Sequence, residues 1–126
     1  MYTELIFGAD LKEDTPQSVI SALSYMMGNI NDKPKDFPLP DGRFEWLFRG
    51  GSYYFAVNNP VSKMWQDINE CWRISTRSNI KNYGDEIEVF LEWIKPYIDG
   101  GSGARDMYAI VMYEEFDEPK IYYLNE

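Results

Sequence analysis

Polar and apolar residues alternate along the first stretch of the chain and then change to a helical spacing. Residues 3–11 have a period of two, which predicts a strand with Leu5, Phe7, Ala9 and Leu11 on one side. Thr15 and Pro16 are typical of a helix start, and Gly28 is typical of a helix end. The helix between them has an apolar stripe made of Val19, Ile20, Leu23, Met26 and Met27.

A second strand and helix lie between Cys71 and Ile98. Alternation in the predicted strand puts Trp72 and Ile74 on one side, and on the other side Arg73, Ser75 and Arg77. The predicted helix has its cap at Asn82 or Gly84 and ends or kinks near Pro96, because proline breaks the helical hydrogen-bond pattern. Its buried stripe is Ile87, Phe90, Leu91 and Ile94.

Two hairpins are expected in addition. Residues 43–48 and 52–57 alternate on either side of Arg49-Gly50-Gly51, where glycine suits a tight turn. Residues 107–115 and 119–124 form the second hairpin. The proline-rich residues 30–42 predict a loop, and residues 61–69 fit one or two helical turns.

These elements predict one α+β domain over residues 1–126. The domain has two layers: a six-stranded sheet, mostly antiparallel or mixed, and two helices on one face. The order strand–helix–strand–strand occurs twice, and Tyr53-Tyr54 and Tyr122-Tyr123 fall in the last strand of each half. A tandem βαββ pseudo-repeat is therefore one interpretation, and chance similarity of amphipathic elements is the other. Two ferredoxin-like halves that share strands are the alternative arrangement.

Composition narrows the classes of function. The 126 residues are 44% hydrophobic, enough for a core, and carry a net charge of −9. Such a charge argues against binding to nucleic acid or to anionic membranes. It fits either simple solubility or a surface that docks on a basic partner.

The chain has no histidine and one cysteine, Cys71. The usual general base, the usual zinc ligands and an internal disulfide are therefore missing, and we expect no metal site and no cofactor. The first residues lack the features of a signal peptide, and no apolar run is long enough to cross a membrane. We expect a cytoplasmic protein.

The strongest candidate site is the polar side of the second strand. Arg73, Ser75 and Arg77 form a row there, and guanidinium groups bind carboxylates and phosphates. The alternative is cross-strand pairing of these arginines with Glu4 or Glu114. Tyr54 and Tyr123 are expected on the same face, and tyrosine and arginine are enriched in binding hot spots.

Signatures of known enzymes are incomplete in this sequence. The stretches 50–52 and 100–103 are glycine-rich but lack the lysine of a phosphate-binding loop, and each precedes a predicted strand. The acidic residues Glu114, Glu115, Asp117 and Glu118 lack the spacing of a calcium loop. Cys71 has no histidine to activate it. We therefore expect no catalytic residue, although a serine with a lysine base leaves no local signature to test.

The run SYYFAV, followed by CWRISTRSNIKNYGDEIEVFLEWIKPYIDG, resembles a group of small proteins of unknown activity from bacteria and their phages. The similar region also includes the opening TELIFGADLKEDTPQ. The resemblance implies an accessory protein of a mobile element and assigns no functional residue.

The sequence thus predicts a small acidic, non-catalytic interaction or inhibitor protein. Its exposed sheet face would bind a partner protein or a second copy of the chain. The alternative is an anionic small-ligand-binding protein, or a histidine-free enzyme, that uses Arg73 and Arg77.

Overall fold

The computed structural model of the chain describes residues 2–52, 54–56, 62–100 and 106–125. Two α-helices and five strands are formed in this part of the chain. In chain order they are β1 (Thr3–Asp10), α1 (Gln17–Met26), β2 (Ser62–Gln66), β3 (Trp72–Ile80), α2 (Glu86–Ile94), β4 (Met107–Tyr113) and β5 (Lys120–Tyr123). Short 3-10 helices span Arg43–Trp46 and Lys95–Tyr97.

The five strands form one antiparallel sheet in the order β2-β3-β1-β4-β5. β1 lies at the centre, where Thr3 pairs with Ile80 of β3 on one side and with Tyr113 of β4 on the other. The α+β class and the β4–β5 hairpin are confirmed. None of the helices in the described ranges is long and apolar enough to cross a bilayer.

One face of the sheet carries the hydrophobic core. Leu5 and Phe7 of β1 face it, and both helices contribute their apolar stripes to the same buried cluster. The ring of Phe90 in α2 meets the rings of Phe7 and Phe48 edge-on, with centroid distances of 5.3 and 5.0 Å. The predicted stripe of α2 is confirmed, since its members are at most 1% exposed: Ile87, Phe90, Leu91 and Ile94. We call the opposite face of the sheet the open face.

The helix boundaries agree with the sequence more closely than their caps do. Pro16, rather than Thr15, occupies the N-cap of α1, and the Thr15 hydroxyl donates instead to the carbonyl of Lys12. Asp85 is the N-cap of α2, while the side chain of Asn82 accepts the N–H of Ile87 at 3.0 Å. Asn82 therefore supplies a capping bond from outside the cap position.

The expected hairpin over residues 43–57 is wrong in its first arm. Residues 43–46 form a 3-10 helix, and the buried side chains are Phe44, Leu47 and Phe48, which follow helical spacing. Trp46, which alternation would place beside Phe44 and Phe48, is exposed instead. The second arm includes Tyr53 and Val57, which lie outside the described residues.

Residues 62–66 lie in the stretch 61–69 that also fits one or two helical turns, but they form the edge strand β2 and pair with β3. The described residues therefore contain five strands rather than six. Because residues 43–48 are not a strand, the first half does not repeat the strand–helix–hairpin order of β3, α2, β4 and β5. The βαββ pseudo-repeat is not confirmed.

Candidate functional site

The open face carries the residues that the sequence singled out, but they do not converge. Arg73, Ser75 and Arg77 lie along β3, and alternation places Tyr123 on the same face of β5. β1 and β4 separate these strands, a spacing of roughly 14 Å. Tyr54 belongs to no strand and lies in the segment that follows the glycine turn.

Arg73 lines a hollow of about 450 Å³ at the end of the sheet where β1 ends and β3 begins. We call this the Arg73 end. Its guanidinium lies 3.4 Å from Asp10 and 3.3 Å from Asp67, at Nε and Nη2 respectively. Cross-strand pairing is thus observed, with these two acids rather than Glu4 or Glu114. The charge of Arg73 is already balanced, which leaves little attraction for an anionic ligand.

Asp67 holds the turn between β2 and β3. Its Oδ1 accepts the N–H groups of Asn69 at 2.9 Å and of Cys71 at 3.0 Å. The bond from Cys71 contributes most to holding the pKa of Asp67 below its ordinary value, against desolvation, and Arg73 adds to the effect. Asp67 is therefore a carboxylate that organises the turn and carries a steady negative charge.

Cys71 is not an activated nucleophile. Burial raises the pKa of its thiol, and the negative charges of Asp67, Glu13 and Asp99 raise it further. Nucleophilic attack requires the thiolate, which a raised pKa disfavours at neutral pH.

At the opposite end of the sheet, where β1 begins and β3 ends, Glu4 lies buried on the open face. We call this the Glu4 end. Only 1% of the residue is exposed. Its carboxylate accepts the hydroxyl of Ser52 at 2.7 Å and the N–H of Tyr54 at 3.3 Å. These bonds fasten Ser52 and Tyr54 over the start of β1, so Glu4 anchors a loop rather than serving as a free acid.

Arg77 lies beneath the same loop. Its guanidinium carbon is 5.6 Å from the centre of the Phe55 ring, a cation–π contact. The sequence predicted an arginine row, but Arg77 is under a ring while Arg73 is between carboxylates. The two arginines therefore do not form one anion site.

An apolar patch covers the middle of the open face. Ile6 pairs with Ile110, and Ile110 pairs with Ile121, so three isoleucines stand side by side on neighbouring strands. Tyr54 and Phe116 lie beside Met112 around a small hollow, with the acidic β4–β5 turn at its edge. We use the name apolar patch for Ile6, Tyr54, Ile110, Met112, Phe116 and Ile121.

A set of cations that the sequence did not single out lies at the Glu4 end. These residues line a groove of about 480 Å³, which we call the basic groove: Tyr2, Arg43, Trp46, Arg49, Gly50, Asn79, Ile80 and Lys81. Cations and aromatic residues spread over distant parts of the chain give no local signal. Only the Arg49-Gly50-Gly51 turn stands out in the sequence, and the fold brings the other groove residues next to it.

Arg49 shows how the fold builds this groove. It donates from Nε to the carbonyl of Met26 at 3.2 Å and from Nη2 to that of Tyr25 at 2.6 Å, at the C-terminus of α1. The carbonyl of Tyr25 also accepts the N–H of Gly28 at 3.0 Å, and the helix dipole favours a cation at this end. Gly50 then approaches β3 so closely that a Cβ would clash with the carbonyl oxygen of Asn79.

Across the ranges that the structure describes, no group of three or more histidine, cysteine, aspartate or glutamate side chains is placed to hold a metal ion. Comparison of the chain with protein-family models, with curated proteins and with solved structures finds no match. The resemblance to small bacterial and phage proteins stays a prediction.

Proposed function

We propose that this chain is a non-catalytic binding protein that docks on a basic partner protein through the apolar patch. The observation that carries the proposal is the exposure of large apolar side chains on one sheet face. Tyr54 is 49% exposed, Phe116 60% and Ile121 37%. Contiguous apolar surface of this kind is typical of interaction sites, and aromatic residues dominate binding energy in such sites.

Charge supports a basic partner over a second copy of the chain. The patch borders an exposed acidic turn that contains Glu114, Glu115, Asp117 and Glu118. In a twofold dimer the same patch would meet itself, which would bring two acidic-edged surfaces together on chains of net charge −9. A basic surface around an apolar centre complements the patch, and complementary charge speeds and orients association.

The sharper form of the proposal is an inhibitor that occupies the basic surface of a nucleic-acid-binding protein. The acidic turn would take the position of phosphates, and the patch would supply affinity. The resemblance to bacterial and phage proteins favours an accessory protein of a mobile element in this role.

The test compares two isoleucine substitutions in a pull-down from bacterial lysate. Ile121→Lys puts a cation in the patch, whereas Ile68→Lys makes the same change in the β2–β3 turn, where Ile68 is 96% exposed. We expect a captured protein to be retained by Ile68→Lys and lost with Ile121→Lys, and its purified form to lose affinity about tenfold or more.

Equal capture by both variants would overturn the proposal. Sedimentation of the purified chain tests self-association directly. A dimer that Ile121→Lys dissociates and Ile68→Lys leaves intact would assign the patch to a second copy of the chain instead.

A further inference from the structure

We propose that the basic groove binds a mononucleotide, with Arg43 and Lys81 at its phosphate and Trp46 against its base. This site is independent of the apolar patch and of the protein partner. The proposed anion site is therefore in the basic groove and not at Arg73 and Arg77, where the sequence suggested it.

The charges that line the groove have one sign. Arg43, Arg49 and Lys81 supply three of the twelve cations in the chain, and no carboxylate side chain lines the groove. Among the described residues, no ion pair joins Arg43, Arg49 or Lys81 to a carboxylate. The groove cations are therefore less neutralised than Arg73, and the nearest acidic influence on them is that of Glu86 on Arg43.

Two carboxylates next to the groove accept backbone N–H groups. Glu86 accepts the N–H of Arg43 at 3.1 Å and that of Gly84 at 2.9 Å. Glu114 accepts the N–H of Tyr2 at 3.0 Å. Within the described residues, neither Glu86 nor Glu114 forms an ion pair with Arg43 or Lys81.

Each groove cation lies over an aromatic ring. The distances to the ring centres are 5.1 Å for Arg43 over Tyr83, 5.3 Å for Arg49 over Trp46 and 5.6 Å for Lys81 over Tyr2. Trp46 is 54% exposed despite its size. Rings beside cations suit a ligand that has both a flat ring and a negative charge, since bases stack on aromatic side chains.

The size of the site and the charge of the whole chain select a mononucleotide over a long strand. A groove of about 480 Å³ falls within the range of small-molecule sites. Beyond it the chain has nine cations against 21 acidic residues, which would repel a polyanion that extends across the surface. A small anion is affected less, because charges more than about 8 Å away are largely screened at physiological salt.

The experiment is calorimetric titration at physiological salt with adenosine 5′-monophosphate, adenosine, inorganic phosphate and a 12-nucleotide single strand. We expect the mononucleotide to bind about tenfold or more tightly than either adenosine or phosphate, since each supplies half of the contacts. A phosphate that binds as well as the mononucleotide would overturn the role of the ring. A strand that binds more than about a hundredfold tighter would overturn the choice of a mononucleotide.

Variants locate the site. Arg43→Gln, Lys81→Gln and Trp46→Ala change exposed side chains, and each should weaken binding about tenfold. The matched control is Lys63→Gln, because Lys63 lies 5.0 Å from the ring centre of Trp65 outside the groove. Circular dichroism establishes that each variant is folded. Loss of affinity in the control, or unchanged affinity in all three groove variants, would refute the assignment.

Discussion

The two ends of the sheet differ in what their charged side chains contact. At the Arg73 end, the charged side chains form ion pairs, and Arg73 lies between Asp10 and Asp67. At the Glu4 end, Glu4 and Glu86 accept backbone N–H groups, and the cations lie over aromatic rings. Charges paired with each other are balanced within the molecule. Charges that contact only backbone groups or rings are not cancelled in this way and produce a local electrostatic field. The Glu4 end is therefore the better place for a charged ligand.

The largest expected effect is at Glu4. Glu4→Ala leaves the hydroxyl of Ser52 and the N–H of Tyr54 without their acceptor, which should lower the free energy of unfolding by about 2–4 kcal/mol. Glu4→Gln keeps one acceptor oxygen and should cost less. Urea unfolding of both variants measures the difference. A loss below about 0.5 kcal/mol for Glu4→Ala would mean that the loop does not depend on this carboxylate.

Glu86 should make stability depend on pH. Burial alone would raise its pKa, but N–H groups that include those of Arg43 and Gly84, with the charge of Arg43, bring the pKa below its ordinary value. A lowered pKa stabilises the fold above the pKa of the unfolded chain, and this contribution disappears as pH falls through the folded value. Unfolding followed from pH 7 to pH 3 should therefore show a shallower loss in Glu86→Gln than in the wild type. Parallel curves would contradict this role.

Substitutions of Arg49 and Arg73 allow a direct comparison of the two ends of the sheet. Arg49→Met removes two hydrogen bonds to the last carbonyls of α1 and should cost about 1–2 kcal/mol of stability. Amide hydrogen exchange should increase in the last turn of α1. Unchanged exchange there would show that the helix end does not need the arginine.

Arg73→Gln should have the smallest effect, below about 1 kcal/mol, because Arg73 and Asp10 are both partly exposed. Added salt should reduce the effect further, since it screens exposed pairs. A double-mutant cycle of Arg73→Gln with Asp10→Asn measures the pair directly. A coupling above about 2 kcal/mol would place this end of the sheet among strongly desolvated ion pairs.

Local patterns predicted β1, both helices and the β4–β5 hairpin because each has its own clear period. The strand predicted for residues 43–48 was wrong because Phe44, Trp46 and Phe48 alternate in sequence. The buried side chains are instead Phe44, Leu47 and Phe48. β2 is an edge strand with only half-buried apolar residues, so its period is weak. Short apolar runs of this kind do not distinguish strand from helix by periodicity alone.

Only those features of the candidate sites that lie within a single strand could be predicted from the sequence. Alternation correctly placed Arg73, Ser75 and Arg77 on one face of β3. The partner of Arg73 depends on pairing between distant strands, where Asp10 falls opposite Arg73. The basic groove joins residues from the chain start, the 3-10 helix and the end of β3, and no local pattern relates them.

The central place of β1 has a consequence for how the protein is made. β1 is synthesised before the other four strands, yet its two neighbours are β3 and β4, and Thr3 pairs with Tyr113 far along the chain. On the ribosome, both hydrogen-bonding edges of β1 therefore stay unpaired until β3 and then β4 have emerged. Proteins rich in such distant contacts fold slowly and expose strand edges to aggregation while they wait. We expect nascent chains that end before β4 to need a chaperone.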